Sequence, residues 1–204
     1  MGRYTGPRLK KMRALGVELP GLSRKSIAKR PHKPGEHGQK TQRPKDYKLR
    51  LLEKQKLRFN YGVSERQMRR IVREAMKSKT LTDDKIIELL ERRLDNVVFR
   101  GGFAPTIPAA RQLVNHKHIK VNNKRVNIAS YRVKVGDVIQ PREKSMKLEP
   151  IQVALLDGPQ LNHPEWLEFD ESSTSIRILG LPNADAVPFP LEMSLVIEFY
   201  SRLL

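Results

Sequence analysis

The chain has 204 residues, a formal net charge of +18 and a pI near 10.3, which fit a polyanionic partner far better than an enzyme for acidic substrates or a neutral scaffold. It contains no cysteine, which excludes a disulfide framework and a thiolate metal site and leaves His32 and His37 as a loose pair of conceivable metal ligands. It has no run of about 18 apolar residues and no apolar core of a signal peptide, so we expect no membrane segment and expect the protein to stay in the compartment of its synthesis.

Positive charge is concentrated in the N-terminal part of the chain. Residues 1–60 contain 18 Lys and Arg against 4 Asp and Glu, whereas residues 151–204 contain 2 against 8. Residues 1–46 interleave cations with glycine and proline and hold few large apolar side chains, so this segment cannot bury enough surface to fold alone. It is either a flexible basic tail or an arm that becomes ordered along RNA phosphates. Apolar anchors such as Tyr4 and Met12 favour the second interpretation. The cations assigned to RNA contact here are Arg3, Lys10, Lys11, Arg13, Arg24, Lys25, Lys40, Arg43 and Lys45.

A helix is predicted from Pro44 onward, and it opens a helical RNA-binding domain over residues 47–91. Tyrosines and cations recur in it at steps of three or four residues, so two aromatic rings flank a cationic stripe on one face. Such a face suits phosphates and stacked bases. The stripe consists of Tyr47, Arg50, Lys54, Arg58 and Tyr61, and its first four members are assigned to RNA contact together with Lys48.

The next helix of this domain begins at Ser64, where Gln67 completes a capping box. Apolar side chains at helical spacing from Met68 to Met76 form a stripe that belongs to the core. The opposite side carries more cations than solubility requires, and the alternative interpretation is a solvated face. A further helix over residues 82–94 is expected to pack and connect. The arginines assigned to RNA contact on the cationic side are Arg66, Arg69, Arg70 and Arg73.

Residues 93–139 combine a helix, a hairpin and a closing strand. Thr106 is the predicted N-cap of the helix, with Pro108 in its first turn. Apolar and polar residues alternate on both sides of Asn122-Asn123, which predicts a two-residue hairpin turn. A glycine-aspartate turn then precedes a short buried strand. The residues assigned to RNA contact here are Arg111, Gln112, Asn115, His116, Lys117, Lys120, Asn122, Lys124, Arg125 and Arg132.

The C-terminal segment, residues 158–204, is acidic and broken by prolines. Only residues 175–179 and 194–200 have the composition of strands. The segment is expected to pack back on the helical domain or on another protein. Trp166, which lies among acidic residues, is read as a core or interface anchor in preference to a platform for a nucleobase.

Residues 93–139 resemble the S-four (S4) RNA-binding module in the RLDN start, the ARQLVNHKHIKVNNKRVNI core and the VKVGDVI ending. The predicted domain that contains this module covers residues 92–157. Asn123 stands where the family usually has glycine, and the turn should survive because asparagine tolerates left-handed backbone better than most residues.

The resemblance extends along nearly the whole chain to the ribosomal protein S4 family of the small subunit. It is carried by the start MGRYTGPRLKKMRALG, by PGEHG, by YKLRLLEKQKLRFNYGVSERQMRR and by the ending IEFYSR. Many relatives have a zinc-binding Cys-x-x-Cys where this chain has Leu9 and Met12, so it looks like a zinc-free branch. Segments such as LPGLSRKS look similar to cyanobacterial and plastid members.

The resemblance implies an α+β fold: a mostly helical basic domain with an extended N-terminal arm and C-terminal strands, plus the small module of helices, a β-hairpin and a short sheet. Its implied function is to bind 16S-type small-subunit rRNA early, to nucleate assembly of the subunit body and, with ribosomal protein S-five (S5), to contribute to translational accuracy. Other small-subunit proteins and mRNA near the path by which it enters are implied partners. Residues 190–200 are a candidate surface for S5. We expect no catalysis, cofactor or metal, and a location in ribosomes of the bacterial cytoplasm or the chloroplast stroma.

Two rival functions share the module. The first is an RNA-modifying enzyme of the pseudouridine synthase type, which uses the Asp of an RLD motif; here Asp95 opens the module instead of following it, and is interpreted as a structural residue that caps or pairs with a neighbouring arginine. The second is a stand-alone RNA chaperone or stalled-ribosome factor, a class that is usually shorter and lacks the basic arm and the helical domain. A factor of that class would leave small subunits in a high-salt wash.

Overall fold

The computed structural model describes residues 4–39 and 44–203. The chain divides into two compact units. We call the part up to Ile86 together with the part from Val187 the helical unit, and residues 87–186 the sheet unit. Among the described residues, no helix is both long and apolar enough to cross a membrane.

The helical unit is built around the longest helix and holds most of the basic residues. Its helices are α1 (Arg8–Leu15), α2 (Asp46–Asn60), α3 (Glu65–Met76), the first half of α4 (Thr82–Glu91) and α8 (Met193–Ser201). Helix α8 packs along α2 and also contacts α3. The core between them contains Leu57, Met68, Val72 and Val196, each fully buried.

The predicted capping box of α3 is confirmed. The Ser64 hydroxyl accepts a hydrogen bond from the Gln67 amide at 3.3 Å, and the Gln67 side chain accepts one from the Ser64 amide at 3.0 Å. The predicted apolar stripe is buried from Met68 through Ala75, although Met76 at its end is 39% exposed. Helix α3 therefore presents one apolar face to the core and one face to solvent.

The prediction of a strand over residues 194–200 is wrong, because this segment lies in helix α8. Its buried side chains are Val196, Phe199 and Tyr200, a spacing of three and then one residue that matches one face of a helix. The β-branched and aromatic residues suggested a strand, but packing against α2 overrides that local preference.

The structure also differs from the prediction at the N-terminus. Helix α1 was not expected, and Met12, Leu19 and Leu22 are buried in the core of the helical unit. The Gly21 amide donates a buried hydrogen bond of 2.9 Å to the Asn60 side chain. The extended basic segment therefore begins only after these residues: 23–39 contain no helix or strand and are mostly exposed.

The sheet unit contains one antiparallel sheet of five strands in the order β2-β1-β3-β5-β4. The strands are β1 (Ile119–Val121), β2 (Lys124–Arg125), β3 (Val138–Pro141), β4 (Leu167–Asp170) and β5 (Ser175–Ile178). The helices of this unit are the second half of α4, α5 (Leu94–Arg100), α6 (Ile107–Asn115) and α7 (Glu149–Asp157). Ile119, Ile139 and Ile176 are fully buried, which places the core on one face of the sheet.

The predicted helix cap and hairpin of this unit are confirmed. The Thr106 hydroxyl accepts a hydrogen bond from the Ala109 amide at 3.4 Å. Asn122 and Asn123 have φ values of 48° and 64°, the two left-handed residues that a tight hairpin turn requires. Strand β2 ends at Arg125 and is therefore shorter than its alternating sequence pattern predicts.

The C-terminal segment predicted over 158–204 divides between the two units, at Val187. Strands β4 and β5 extend the sheet beside β3, with Ile139 opposite Ile176. Trp166 is 6% exposed, which confirms that it is a core residue.

Candidate nucleic-acid interface

A group of exposed arginines lies on one side of α3. Arg66, Arg69, Arg70 and Arg73 are all exposed, while Met68 and Ile71 on the other side are buried. We call these four arginines the arginine face. Cations three and four residues apart on a helix repel one another, so this face lowers the stability of α3 unless an anion covers it.

Two acidic residues lie beside the arginine face along α3, Glu65 next to Arg66 and Glu74 next to Arg73, and the Glu65 carboxylate is bound mainly elsewhere. It accepts hydrogen bonds from the Lys54 ammonium at 2.7 Å and from the Tyr200 hydroxyl at 3.0 Å, whereas Arg69 Nε lies 3.8 Å away. Burial raises the pKa of Glu65, but these two hydrogen bonds and the positive charges of Lys54 and Arg58 together outweigh it and hold the pKa below its usual range. Glu65 therefore does little to neutralise the arginine face.

The cationic stripe predicted on α2 is interrupted. Lys54 is 5% exposed and its ammonium lies 4.7 Å from the centre of the Phe199 ring, while Tyr61 is 1% exposed. The prediction that these two residues lie on the surface is wrong, because both belong to the packing of α2 in the helical unit.

The other predicted RNA contacts on or beside α2 differ in their solvent exposure. Tyr47 is 65% exposed, and Lys45 and Lys48 are also exposed. Arg50 is bound to Glu198 by a 2.7 Å ion pair. Half-buried Arg58 donates a weak hydrogen bond of 3.4 Å to the Gln55 side chain and lies 5.6 Å from the centre of the Phe59 ring.

The N-terminal segment holds some of its predicted cations in defined positions. The Lys11 ammonium lies 5.4 Å from the centre of the Tyr4 ring and 5.2 Å from that of Phe59, so it is within cation–π distance of both rings. Arg13 donates to the His32 carbonyl at 2.9 Å. The cations Lys10, Arg24 and Lys25 are exposed. The predicted contacts Arg3, Lys40 and Arg43 lie outside the described residues.

The sheet unit has a second polar surface, formed by the end of α6 and the hairpin, which we call the module face. Lys120 and Arg125 lie directly opposite each other on neighbouring strands, and Lys120 also reaches Glu143 at 3.4 Å. Arg132 is half-buried and forms an isolated antiparallel β-bridge with Arg93 through the backbone. The exposed members of the module face are Gln112, Asn115, His116, Lys117, Lys124 and Arg125.

Two predicted contacts of the sheet unit have structural roles. Arg111 donates to Asp95 Oδ2 at 2.9 and 2.6 Å and its side chain is only 14% exposed, so its prediction as a surface residue is wrong. The Asn122 side chain donates to Asp137 at 2.7 Å and accepts from the Val138 amide at 2.9 Å, although the residue is exposed. Asn122 therefore uses its amide group to fix the hairpin turn to β3.

Family models cover the two regions that carry these surfaces. Residues 3–91 match the Ribosomal protein S4/S9 N-terminal domain, and residues 92–139 match the S4 domain. Together with relatives named uS4 that are 55% identical over at least 99% of this chain, these matches show that the chain belongs to the uS4 family of small ribosomal subunit proteins. The arginine face thus lies in the family's N-terminal domain and the module face in its S4 domain.

Several uS4 proteins are similar over their whole length. The chain is 55% identical over 206 residues to small ribosomal subunit protein uS4 of Methylobacillus flagellatus, with 100% of each chain covered. It is 55% identical to small ribosomal subunit protein uS4B of Nitrosomonas europaea, with 99% of each chain covered. It is 48% identical to small ribosomal subunit protein uS4c of Cyanophora paradoxa, covering 99% of this chain and 100% of that one. The similarity therefore extends to bacterial and plastid types of uS4.

The aspartate that suggested an RNA-modifying enzyme has a structural role in this uS4 chain. Asp95 is fully buried, and Arg93 donates to both of its oxygens at 3.0 and 2.9 Å, in addition to the bonds from Arg111. The predicted pairing with a neighbouring arginine is confirmed. A catalytic carboxylate must reach its substrate, which the enclosed Asp95 carboxylate cannot do.

The positions of possible metal ligands in this uS4 chain are also defined. Leu9 and Met12, the positions compared above with a Cys-x-x-Cys pair, lie in α1, and Met12 is 1% exposed. His32 and His37 are exposed. In the part of the chain that the structure describes, no three His, Cys, Asp or Glu side chains lie together as a metal site would require.

Proposed function

We propose that this uS4 chain binds 16S-type small-subunit rRNA directly and early, and that its binding nucleates assembly of the subunit body. The arginine face and the module face are the proposed contact surfaces. Recognition would rest on the shape of the RNA and the geometry of its phosphates more than on base sequence, because A-form RNA does not open its major groove to side chains.

The observation that carries the proposal is the arginine face of α3. Four exposed guanidinium groups lie on one rigid helix whose cap is formed by Ser64 and Gln67. Each guanidinium can donate two parallel hydrogen bonds to a phosphate, and a helix fixes the spacing between neighbouring groups. A solvated surface needs no such grouping of one charge.

The proposal extends to partners and place. We infer that the chain acts within ribosomes of the bacterial cytoplasm or the chloroplast stroma, beside S5 and other small-subunit proteins and near the path by which mRNA enters. The similar proteins described above are named as small ribosomal subunit proteins, which supports the location in the ribosome. No catalytic step or cofactor is part of the proposal.

Filter binding of the purified full-length protein to small-subunit and large-subunit rRNA, across a salt titration, tests the proposal. We expect tight binding that favours small-subunit rRNA and survives several-fold increases in salt with a finite slope. If the protein bound both RNAs equally and lost this binding as salt increased, binding would depend on net charge alone. A peripheral factor would then be the better interpretation of the chain.

The rival interpretation as a peripheral factor is tested in the particle itself. Small subunits that contain the protein are washed at high salt and sedimented, and the protein is quantified in the pellet. A constituent remains with the particle, because it is held by many contacts and enclosed by later-binding proteins. Release at moderate salt would contradict the proposal.

A contribution to accuracy with S5 is proposed for the C-terminal segment. The outer side of α8 and its approach carry the exposed residues Glu192, Ser194 and Ser201, whereas Phe199 and Tyr200 face the core. Because truncation of α8 would also remove core residues, Glu192→Lys is the cleaner variant. It should raise misreading in a dual-reporter assay without lowering the stability of the purified protein, and unchanged misreading would exclude this surface.

A further inference from the structure

Strand β4 forms one edge of the five-stranded sheet, which we call the β4 edge. The strand pairs with β5, and no described strand lies on its other side. Just before β4, the Leu179 amide donates to the Trp166 carbonyl at 2.9 Å. Bonded and non-bonded pairs alternate along antiparallel strands, so the backbone groups of Glu168 and Asp170 face β5. The amide and carbonyl of Phe169 therefore point outward from the sheet.

The outward backbone groups of Phe169 are available to another chain. Among residues 4–39 and 44–203, neither group takes part in a hydrogen bond outside the pairing of β4 with β5. The Phe169 ring is half-buried and lies 6.0 Å from the Phe103 ring and 5.5 Å from the His163 ring, measured between centres. The residue is thus packed on its side-chain side while its backbone faces out. Such an edge can accept an extended segment as an added strand.

The β4 edge is negatively charged, although the chain as a whole carries +18. Four exposed carboxylates lie in the strand or within two residues of it, and they are Glu165, Glu168, Asp170 and Glu171. In the described part of the chain, no Lys, Arg or His nitrogen lies within 4.0 Å of any of the four. Pairing with β5 places one exposed cation, Arg177, opposite Glu168. One guanidinium leaves most of this negative charge uncompensated.

The charge of the β4 edge determines which partner fits it. RNA phosphates are repelled by carboxylates, so the edge does not suit RNA. A second copy of the same edge is repelled as well, because strand pairing would bring like charges opposite one another. An extended protein segment with a cation at every second residue is attracted, since alternate side chains of an added strand lie on the same face of the sheet as Glu168 and Asp170.

We infer that the β4 edge binds an extended, basic segment of a partner protein as a further strand of the sheet. The amide and carbonyl of Phe169 form the backbone hydrogen bonds, and the exposed carboxylates select a cationic sequence. The partner's other side chains lie on the face of Leu167 and Phe169, which favours apolar residues between the cations. The edge shares no residue with the arginine face or the module face, and lies beyond the residues 92–139 that match the S4 domain. The inference thus goes beyond the proposed function and does not depend on it.

The test uses the full-length protein without RNA and a short, blocked peptide of alternating lysine and valine as the probe. The peptide should bind despite the positive net charge of the protein, and at saturation it should slow solvent exchange of the Phe169 amide by about tenfold or more, as measured by NMR. A control peptide with every backbone amide methylated keeps its charge but cannot donate, and should not bind. Equal binding of both peptides would overturn the added strand. Binding of neither would mean that the carboxylates only protect the edge from aggregation.

A charge-matched pair of double variants locates the binding. Glu168→Lys combined with Glu171→Lys should lower affinity for the lysine-valine peptide by about tenfold, because two attractions become repulsions. The control, Glu36→Lys combined with Glu143→Lys, changes the net charge equally at exposed positions outside the β4 edge and should leave affinity within about twofold of wild type. Urea midpoints show that both variants are folded. Equal losses of affinity in the two variants would overturn the site, whatever the affinity of the protein for rRNA.

Discussion

The Tyr200 hydroxyl of α8 donates a 3.0 Å hydrogen bond to Glu65 at the start of α3. The second oxygen of Glu65 accepts from Lys54 of α2 at 2.7 Å, so one carboxylate ties three helices of the helical unit together. Burial and the charge of Glu65 raise the pKa of Tyr200, which keeps its hydroxyl protonated and able to donate. The C-terminal helix thereby helps to hold the helix that carries the arginine face.

Removal of this hydroxyl should destabilise the protein. Tyr200→Phe keeps the ring but withdraws one donor from a partly buried carboxylate, and should lower the free energy of unfolding by about 1–2 kcal/mol in urea titrations. Tyr47→Phe is the control, because Tyr47 is 65% exposed and should change stability by less than about 0.5 kcal/mol. Equal effects of the two variants would show that the hydrogen bond does not contribute.

The same carboxylate predicts how stability depends on pH. Because the pKa of Glu65 is lower in the folded state than its ordinary value of 4.5, the unfolded chain binds this proton more readily. The contribution of Glu65 should be fully present above pH 4.5 and should disappear as the pH falls through the lower folded value. Urea midpoints from neutral pH down to about pH 3 measure this, and the decline should be smaller in Tyr200→Phe. An identical decline in both proteins would contradict the prediction.

Lys54 and Arg70 should separate stability from RNA binding. Lys54→Gln removes the closest cationic partner of the Glu65 carboxylate and should lower the free energy of unfolding by about 1–3 kcal/mol with little change in the salt slope of binding. Arg70→Gln, on the exposed side of α3, should do the reverse: its stability should stay within about 0.5 kcal/mol of wild type and its salt slope should fall by about one unit. If the salt slope of RNA binding fell in Lys54→Gln but not in Arg70→Gln, the Lys54–Glu65 ion pair would have to open when RNA binds.

Arg111 and Arg125 form a similar contrast in the sheet unit. Arg111→Gln removes one of the two guanidinium partners of fully buried Asp95 and should cost about 2–4 kcal/mol of unfolding free energy. Arg125→Gln should be neutral for stability, because the side chain is exposed, and should weaken RNA binding. Circular dichroism during urea unfolding measures the stability of each variant, and filter binding measures its affinity for RNA. If Arg111→Gln lost affinity without losing stability, Arg111 would belong to the RNA interface after all.

The elements that the sequence predicted correctly depend on neighbouring residues. Ser64 and Gln67 are three positions apart, and Asn122 and Asn123 are adjacent, so cap and turn chemistry can be recognised without knowledge of the fold. Strand β5 was recognised in the same way, from a short run of strand-forming residues.

The features that the sequence did not predict depend on distant partners. Lys54 pairs with a carboxylate 11 residues away and Arg111 with one 16 residues away, so periodicity could not distinguish these cations from exposed ones. Residues 194–200 form a helix because α2 covers their apolar side, which strand propensity does not report. The burial of Met12 likewise depends on the rest of the helical unit.

A charge-matched pair of triple variants tests whether the arginine face contacts small-subunit rRNA. One variant replaces Arg66, Arg70 and Arg73 with glutamine. The control has the same net charge but changes three exposed cations outside both proposed surfaces, which are Lys79, Lys147 and Arg202.

Binding of both variants to small-subunit rRNA is measured across a salt titration. We expect the arginine-face variant to lose about three units of salt slope and most of its preference for small-subunit rRNA, whereas the control should stay close to wild type. Equal losses in the two variants would show that total charge, and not the arginine face of α3, determines binding, and would overturn the proposed role of this face.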